Sequence, residues 1–379
     1  MPRVPTAAEL REEFLLDRDV VFLNHGSFGA CPRGVFERYQ EWQRELERQP
    51  VEFLSRRLPG LLGDARTRLA AAIGAAGDDL VFVPNATSGV NVAARAIDLR
   101  PGDEVLATGL EYGACDLAWQ DACARAGARY VRAEIPLPLN DVVAALFARC
   151  SERTRAIFAS HITSETAARL PVEEIVRRAH DLGLLAILDG AHAPGQVVPL
   201  ELDALGADFY AGNCHKWLCA PKGAGFLHVR KERQERVHGI IVGWGYEDGG
   251  GTFLSRSERQ GTRDPSAYLT VPDTLDWLAA HEWDAVRARC RALTREARRR
   301  LLELPGVDPV APEELIDQMA TVALPPCDGD ELQRRLYDEH RIEVPVMTRG
   351  ARPLLRVAIQ GYNDEHDVDA LVAALGAYL

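Results

Sequence analysis

The amino-acid sequence predicts an α/β fold, in which a mostly parallel, seven-stranded sheet carries helices on both faces. Short β-rich runs alternate with longer Ala-, Arg-, Leu- and Glu-rich segments of helical period, as is typical of a sheet wrapped by helices. With 379 residues and 47% apolar content, the chain can bury a large core and form two domains. We expect the α/β core over about residues 70–235, followed by a smaller C-terminal α+β domain.

Seven apolar or β-branched runs are the predicted strands of this sheet, and helical segments lie between them. The strands are expected at 80–83, 104–108, 129–135, 155–162, 184–189, 208–211 and 225–229, and helices at 90–97, 117–126, 140–150 and 172–182. Gly183 directly follows the last of these helices and suits its C-terminal cap.

The sequence beyond the sheet region predicts the second domain. The glycine-rich stretch 243–251 is too flexible for a regular element and indicates an active-site loop or a domain connector. After it we expect long helices at about 267–304, a strand near 319–325, a helix at 330–340, and strands at 342–346 and 354–359. A helix in the first 20 residues completes the predicted division: an N-terminal helical segment (1–20), a large α/β domain (21–265) and a small α+β domain (266–379).

Charge and composition argue against several classes of function. The formal charge of -12 and the lack of a basic run disfavour nucleic acid and anionic membranes as partners. No apolar stretch approaches the roughly 20 residues of a membrane span, and the start lacks the apolar stretch of a signal peptide, so we expect a cytoplasmic protein. The eight cysteines are scattered without a Cys-x-x-Cys pair. They indicate reduced thiols, and we expect no metal.

Lysine is rare in this chain, which has only Lys216, Lys222 and Lys231 among its 44 lysines and arginines. Arginine keeps its proton at any working pH, whereas a desolvated lysine can lose it and become a nucleophile or a Schiff-base partner. Lys216 follows a predicted strand, and Asp189 ends an earlier one. A lysine and an acid are what pyridoxal phosphate needs for its aldehyde and its ring nitrogen. Taken alone, Lys216 could equally be a surface charge.

Polar residues follow further strands at the edge of the sheet where ligands collect. The stretch 85–91 offers N–H groups and the Thr87 hydroxyl to a phosphate, or is a plain helix cap. It matches no nucleotide-binding glycine motif. Tyr112 is either a ring that stacks on a flat cofactor or an ordinary tyrosine. The stretch 159–165 crowds polar groups at a strand end, although a buried, hydrogen-bonded histidine would also explain it. Asp189 and His192 share the fourth turn, where Asp189 could be a helix cap.

The four loops and Lys216, taken in this order, resemble the class V aminotransferase group of fold-type I pyridoxal phosphate enzymes. The resemblance extends over about residues 20–375 and is strongest to isopenicillin N epimerase-like members. The shared motifs lie at 23–32, 85–91, 189–192, 215–216, 220–226 and 342–346. Each motif is weak alone, and together they are specific.

The resemblance implies a role for each matching residue. Lys216 would form the Schiff base, Asp189 would pair with the pyridine nitrogen, and Arg356 would bind the substrate α-carboxylate with a bidentate guanidinium. Without the resemblance, Arg356 would be an arginine at a strand end. The remaining implied cofactor contacts are Ala86, Thr87, Tyr112, Ser164, His192, Asn213, His215 and Thr262.

Two further implications concern the partner subunit and the proton transfers. Thr262 matches a threonine that reaches the phosphate of the neighbouring subunit, which implies a homodimer with shared sites. Asn24 and His25 belong to the opening motif and are expected at the substrate. His25 and Tyr112 are the candidates for a second acid opposite Lys216, and His25 is equally well a buried structural histidine.

The expected reaction is proton removal at the α-carbon of an amino acid or amino-acid-derived substrate, followed by epimerisation or racemisation. Two alternatives are C–S lysis, including the hercynylcysteine sulfoxide type, and transamination. Persulfide chemistry of the cysteine desulfurase kind is disfavoured, because 346–353 contains no cysteine. A non-catalytic binding protein is less favoured, since the lysine and the aspartate are both present.

Overall fold

A computed structural model describes residues 3–350 and 352–379 of the protein. The described residues form thirteen strands. These are Val21–Phe22 (β1), Leu80–Val83 (β2), Glu104–Thr108 (β3), Arg129–Ala133 (β4), Thr154–Ser160 (β5), Leu185–Gly190 (β6), Phe209–Asn213 (β7), Gly225–Val229 (β8), Asp308–Pro309 (β9), Met319–Ala323 (β10), Ile342–Glu343 (β11), Val346–Arg349 (β12) and Arg352–Ala358 (β13).

Seventeen α-helices lie among these strands in the described ranges. They are Ala7–Glu13 (α1), His25–Phe28 (α2), Arg33–Arg48 (α3), Pro50–Glu52 (α4), Leu58–Ala72 (α5), Ala86–Ala96 (α6), Gly113–Ala126 (α7), Val142–Phe147 (α8), Val172–Asp181 (α9), Leu202–Leu205 (α10), Glu247–Gly250 (α11), Phe253–Glu258 (α12), Ser266–Leu269 (α13), Val271–Ala280 (α14), Trp283–Leu301 (α15), Gly329–His340 (α16) and Glu365–Gly376 (α17). None of them is both long and apolar enough to cross a membrane.

Strands β2 to β8 form one sheet in the order β2-β8-β7-β6-β5-β3-β4. β8 runs antiparallel to β2 and β7, and the other neighbouring pairs are parallel. The predicted mostly parallel, seven-stranded sheet is therefore confirmed. Because parallel strands share a direction, the ends of β5, β6 and β7 place Ser160, Asp189 and Asn213 at one edge.

The central strands read as continuous apolar runs because both faces of the sheet are covered. Leu80 and Phe82 of β2 pack into one hydrophobic cluster, while Val81 and Val83 pack into another on the opposite face. Burying a side chain such as Phe82 contributes roughly 2–3 kcal/mol. β4, at the end of the strand order, is buried only at Ala133, so its burial pattern is that of an edge strand.

The C-terminal region has its own antiparallel sheet, in the order β12-β13-β10-β9. β1 pairs in parallel with β11, so that Val21 lies opposite Ile342 and the N-terminal segment is joined to this region. β13 carries Arg356, whose register partner on β10 is Thr321. The domain boundaries at 20/21 and 265/266 stay predictions.

The prediction of an irregular, flexible stretch at 243–251 is wrong. Trp244–Tyr246 forms a 3₁₀ turn and Glu247–Gly250 a short helix. The buried side chain of Arg256 donates from Nη1 to the carbonyl oxygen of Gly251 at 2.8 Å. Glycine has no side chain that could donate a hydrogen bond to the carbonyl oxygens of this loop. The buried Arg256 side chain supplies that donor and so stabilises a defined turn.

The predicted N-terminal helix is shorter than expected. It spans Ala7–Glu13, after which Phe14 takes an extended backbone conformation. The ring of Phe14 packs edge-on against Tyr362, with centroids 4.9 Å apart. This aromatic contact with the C-terminal region ends the helix before residue 20.

Candidate active site

A cavity of about 380 Å³ lies at the carboxyl edge of the large sheet. Its walls come from the ends of β5, β6 and β7, the start of α6, the short helix α2 and the C-terminal strands. It brings together most of the predicted site residues, namely Ala86, Thr87, Tyr112, Ser164, Asp189, His192, Asn213, His215, Lys216 and Arg356. Asn24, His25 and Thr262 are not among the residues that line it.

Lys216 lies in the connection between β7 and β8, where its Nζ is 3.2 Å from Nε2 of His192. The indole N–H of Trp217 donates to Nδ1 of His192 at 3.3 Å. A neutral imidazole that accepts at Nδ1 carries its proton on Nε2, which then donates to the lone pair of the lysine amine. Burial lowers the pKa of Lys216 to about 8 and is the main cause that lowers the pKa of His192 well below its usual value. Half of the Lys216 amine is therefore deprotonated at about pH 8, well below the usual range for lysine.

Asp189 ends β6 and is almost completely buried. Its Oδ1 accepts from the backbone N–H of Ala191 at 2.8 Å, and the thiol of Cys115 donates to Oδ2 at 3.4 Å. Burial raises the pKa of the Asp189 carboxyl. No arginine or lysine of the described chain forms an ion pair with it. A buried carboxylate facing a cavity without a cation of its own is suited to a positively charged ligand group.

The start of α6 supplies hydrogen-bond donors at another wall of the cavity. Asn85 caps the helix, since its Oδ1 accepts from the N–H of Ser88 at 2.8 Å. The Ala86 N–H, which we expected to bind phosphate, donates instead to Oδ1 of Asn213 at 2.8 Å. Within the described chain, the N–H and the hydroxyl of Thr87 have no partner. Thr87 is therefore the donor that this helix start leaves free for an anion.

His215 and Tyr112 line the cavity in different settings. Nδ1 of His215 donates to the carbonyl oxygen of Ala224 at 2.9 Å, and burial lowers the pKa of His215 to about 4. A bound anion beside Nε2 would raise that pKa again and turn this nitrogen into a donor. Tyr112 precedes α7 and is 48% exposed. Its ring is free to contact a ligand in the cavity.

Arg356 is held in the cavity wall by neutral oxygens alone. Nη1 donates to the backbone oxygen of Ser164 at 2.7 Å, and Nη2 donates to Oγ of Ser27 at 3.0 Å and Oδ1 of Asn24 at 3.4 Å. Its Nε is buried without a partner among the described residues. Burial lowers the pKa of Arg356 to about 10, so the side chain remains charged at neutral pH. This uncompensated cation is suited to a carboxylate.

Ser164 and Asn24 thus contact Arg356. Ser164 was expected at the cofactor, and its observed hydrogen bond is to the arginine. Asn24 lies behind the cavity wall, where its Nδ2 donates to Oε1 of Glu343 at 3.0 Å and its Oδ1 accepts from Ser27 at 2.6 Å. Direct contacts of Ser164 with the cofactor and of Asn24 with the substrate stay predictions.

His25 is a structural histidine in this fold. Its Nδ1 lies 2.9 Å from the hydroxyl of Tyr362, and its Nε2 lies 3.0 Å from the backbone oxygen of Lys216. The side chain is fully buried, and burial lowers its pKa to about 3. Both ring nitrogens are engaged outside the cavity, as the alternative of a structural histidine requires. A role of His25 as the second acid stays a prediction, and Tyr112 is the candidate that lines the cavity.

Several lining residues were not singled out from the sequence, although most lie inside the motifs that we noted. Gly29 has a φ of 70°, and a Cβ there would lie 2.0 Å from the backbone oxygen of His215. This close approach seats the opening motif against the lysine loop and adds a wall to the cavity. The residues missed are Gly26, Ser27, Phe28, Asn85, Ser160, Ile162, Ala191, Pro345 and Met347.

Thr262 lies at the surface, outside the cavity of its own chain. A role at a neighbouring subunit therefore stays a prediction. Elsewhere in the described chain, Asp79, Asp203 and His228 place their ligand atoms within 4.8 Å of one another. A hydrogen bond of 3.1 Å from His228 Nε2 to Asp203 Oδ1 explains much of this arrangement without a metal. The expectation of no metal stays a prediction.

Pyridoxal phosphate fits the polar groups of the cavity. Asp189 has no cationic partner and can therefore pair with the protonated ring nitrogen. Lys216 supplies an amine for the aldehyde, and Thr87 supplies free donors for the phosphate. Arg356 adds a separate positive charge for a substrate carboxylate. Asp189, Lys216 and Arg356 form no ion pair with another residue of the described chain, and this combination of groups is what binding the cofactor and an amino acid requires.

The family is shown by comparison with known proteins. The family model described as Aminotransferase class-V matches residues 31–371, and the chain belongs to this family. The protein is accordingly a pyridoxal phosphate enzyme, as the sequence predicted.

Among its relatives, the isopenicillin N epimerases of Streptomyces clavuligerus and Amycolatopsis lactamdurans are 37% and 39% identical, each over 97% of both chains. A putative L-cysteine desulfhydrase of Oryza sativa subsp. japonica is 31% identical, over 92% of this chain and 78% of the relative.

Solved structures show the same fold. The cysteine desulfurase CsdA from Escherichia coli has a TM-score of 0.83 at 23% identity, covering 99% of this chain and 98% of that one. The cystine C-S lyase C-DES has a TM-score of 0.84 at 22% identity, covering 95% of this chain and 98% of that one. The predicted fold-type I architecture is confirmed.

Proposed function

We propose that the protein is an epimerase or racemase acting at the α-carbon of an amino acid or amino-acid-derived substrate. The observation that carries the proposal is a single cavity that holds the amine of Lys216, the buried acid Asp189 and the uncompensated cation Arg356. Full-length similarity to two isopenicillin N epimerases supports the choice of reaction.

Each residue has a task in binding. Asp189 would pair with the ring nitrogen of pyridoxal phosphate, and Thr87, with Asn213 and a protonated His215, would hold the phosphate. Tyr112 would lie against the ring. Arg356, fixed by Ser164 and Ser27, would bind the substrate α-carboxylate and orient the α-hydrogen toward Lys216.

Inversion requires one proton to leave the α-carbon and another to return on the opposite face. When bound, pyridoxal phosphate stabilises the negative charge left on that carbon. The unprotonated form of Nζ of Lys216, which a pKa of about 8 makes available at mildly alkaline pH, takes the proton. The phenol of Tyr112 supplies the proton for the other face. Lys216 then releases its proton to solvent, and Tyr112 recovers one from solvent. Protons balance, and no oxidant or reductant is needed.

A second candidate function is C–S lysis. Putative L-cysteine desulfhydrases of Oryza sativa subsp. japonica are 31% and 32% identical to this chain. In that reaction the same proton removal is followed by loss of a sulfur group from the β-carbon. Transamination, which would return the proton elsewhere, and a non-catalytic role are the less favoured alternatives. No cysteine lines the cavity in the described part of the chain, which argues against persulfide chemistry.

We further propose a homodimer. The residues Ile240, Ile241, Val242 and Trp244 expose apolar side chains, and Val242 and Trp244 are 76% and 74% exposed. This apolar segment lies beside Arg259, since a Cβ on Gly243 would be 2.9 Å from the Arg259 carbonyl oxygen. It is thus close in sequence and space to Thr262, the residue expected to reach a partner's phosphate. An exposed apolar patch of this kind indicates a protein interface.

A cytoplasmic location is part of the same proposal. All eight cysteines are free thiols in the structure, and five of them are buried. Thiols are kept reduced in the cytoplasm, whereas an oxidising compartment favours disulfides.

The deciding experiment supplies isopenicillin N and, separately, L-cysteine in deuterated water. Configuration, α-deuterium, keto acid and released sulfide are followed together. Inversion of isopenicillin N with deuterium at the α-carbon supports the proposal. If cysteine yields sulfide and keto acid and neither compound is inverted, the result would contradict the epimerase proposal and support the C–S lyase alternative.

The Lys216→Ala variant should lose at least three orders of magnitude in turnover, because no other amine lies in the cavity to take the α-proton. The fold should persist, since the Lys216 side chain projects into the cavity and its removal leaves the packed core unchanged. Lys231→Ala is the matched control, and its activity should equal that of the parent. Borohydride treatment should attach the cofactor to Lys216; a label found on Lys222 or Lys231 would contradict the assignment.

A further inference from the structure

Glu111 is a buried acid that the proposed reaction does not use. It lies in the turn between β3 and α7, one residue before Tyr112, and is only 4% exposed. One carboxyl oxygen is hydrogen bonded to the hydroxyl of Thr108, and the other to Oγ of Ser160 at 2.6 Å. Both partners are neutral. In the described part of the chain, no arginine or lysine forms an ion pair with Glu111.

Ser160 connects Glu111 to the active site. It lines the cavity, and it is the register partner of Asp189 on the neighbouring strand. Ser160 therefore lies beside Asp189 on the sheet and contacts Glu111, and both acids are buried close enough for the charge of Asp189 to act on Glu111. Two carboxylates at such a site do not both ionise readily, because each charge opposes the other.

The groups around Glu111 and Asp189 favour protonation of Glu111 over protonation of Asp189. Asp189 has two hydrogen-bond donors, the Ala191 N–H and the Cys115 thiol, and it faces the cationic side of the cavity at Lys216. Burial, together with the charge of Asp189, raises the pKa of Glu111 to about 8.

The other titratable groups near Glu111 are Tyr130 on β4 and Cys115 on α7, and burial raises the pKa of both. Two arginines reach the same turn but bind other groups. Arg349 donates to Gly109 O and Glu165, and Arg132 lies 3.5 Å from Asp116. Neither supplies a counter-charge to Glu111.

We propose that Glu111 is the proton-holding partner of Asp189, a positioning residue that stays neutral so that Asp189 is the single negative charge at this edge of the sheet. Loss of the Glu111 proton at alkaline pH then places a second charge behind the cofactor ring. This inference rests on the proposed function only in taking Asp189 as the partner of the ring nitrogen.

The first test is infrared spectroscopy of the holoenzyme, which needs no substrate. The parent should show a carboxylic acid C=O band that shifts in deuterated water and disappears as the pH rises through about 8. Glu111→Gln should lack this band. Glu165→Gln, which changes a partly exposed acid paired with Arg349, should retain it. A parent spectrum without the band, or a band unchanged in Glu111→Gln, would overturn the proposal.

Ser160→Ala keeps Glu111 in place and provides a second variant. The serine hydroxyl donates to the carboxylate form, so its removal should move the midpoint of the band to higher pH. An unmoved midpoint would show that the Ser160 contact does not govern the Glu111 proton.

The effect on Asp189 is read from the absorbance of the bound cofactor. In the parent, the spectrum should change over the same pH range as the loss of the infrared band, and Glu111→Gln should lose that change while Glu165→Gln keeps it. If Glu111→Gln titrates like the parent, the charge of Glu111 does not reach the cofactor. If the protein binds no cofactor, the proposed function fails while the infrared result still decides the state of Glu111.

Discussion

The indole of Trp217 determines which ring nitrogen of His192 carries the imidazole proton. By donating to Nδ1 of His192, it fixes the imidazole proton on Nε2, where it stabilises the neutral form of Lys216. Since neutral lysine is the base in the proposed reaction, kcat should rise with pH as the Lys216 amine, released by the substrate, loses its proton, with a midpoint near 8.

Trp217→Phe removes this donor while keeping an aromatic ring. His192 is then free to place its proton on Nδ1 and to accept from the charged form of Lys216. We expect the pKa of Lys216 to rise by about 0.5–1 unit, the equivalent of one hydrogen bond. The pH dependence of kcat measures it. Trp277→Phe is the control, because that indole N–H has no partner in the described chain. Equal profiles for both variants would disprove the link.

Arg356→Lys keeps the positive charge but loses the paired donors. We expect KM for substrates with an α-carboxylate to rise by about 2 kcal/mol, or roughly 30-fold, with a much smaller effect on amines that lack the carboxylate. Arg349→Lys serves as the control because Arg349 binds Glu165 and the Gly109 carbonyl oxygen. Equal losses for both kinds of substrate would place Arg356 outside the carboxylate site.

Individual residues show how far sequence reasoning reaches. Lys216 and Asp189 were identified because their residue types are chemically restricted and they follow or end predicted strands, whereas Arg356 was implied by the family resemblance. The structure gathers them into one cavity, while their roles await the tests above. His25 was ambiguous because a motif does not say which way a side chain points. Glu111 passed unnoticed, since its significance depends on Ser160, 49 residues away in the sequence.

At the scale of elements, the segment that contains α2 depends on one glycine. Gly29→Ala would combine a positive φ with a Cβ placed 2.0 Å from the His215 carbonyl oxygen. We expect a loss of about 1–3 kcal/mol in the free energy of unfolding and weaker cofactor binding, as the segment moves away from the lysine loop.

Gly34→Ala is the matched control for this substitution. Gly34 lies in the first turn of α3, and an added Cβ meets no atom within 4 Å. The exchange should be neutral or stabilise the protein by roughly 0.5–1 kcal/mol. Urea unfolding and cofactor titration compare the two variants, and equal behaviour would show that the contact at Gly29 carries no strain.

The strands of the large sheet were predictable because burial on both faces leaves continuous apolar runs. β2, β3 and β8 match their predicted limits, whereas β4 is two residues shorter than expected. The order of the strands was not predictable, because pairing between β3 and β5 depends on long-range packing. The structure of the glycine-rich stretch 243–251 was mispredicted for a similar reason. The donor that orders it comes from Arg256, which lies outside the stretch.

At the scale of the whole molecule, the apolar surface at 240–244 should be covered by a second copy. Val242→Arg would place a charge in that interface, and we expect a monomer in sedimentation equilibrium with weakened cofactor binding, because Thr262 would no longer reach the partner's site. Leu182→Arg, at an exposed position after α9, should remain a dimer. A dimer of unchanged strength in Val242→Arg would rule out this surface.

The only antiparallel strand of the large sheet, β8, has a further consequence. Because β7 and β8 are neighbours, the lysine loop between them is anchored at both ends, with Cys214 N–H bonded to the Ala224 oxygen at 3.0 Å. The neighbouring wall, Gly26–Phe28, belongs to an N-terminal segment joined to the C-terminal region through Asn24 and β1. The same segment is joined to the lysine loop, because Nε2 of His25 lies 3.0 Å from the Lys216 oxygen and Nζ of Lys222 donates to the Gly29 oxygen at 2.9 Å. A displacement of the N-terminal segment would therefore be transmitted to the loop that carries the reactive amine.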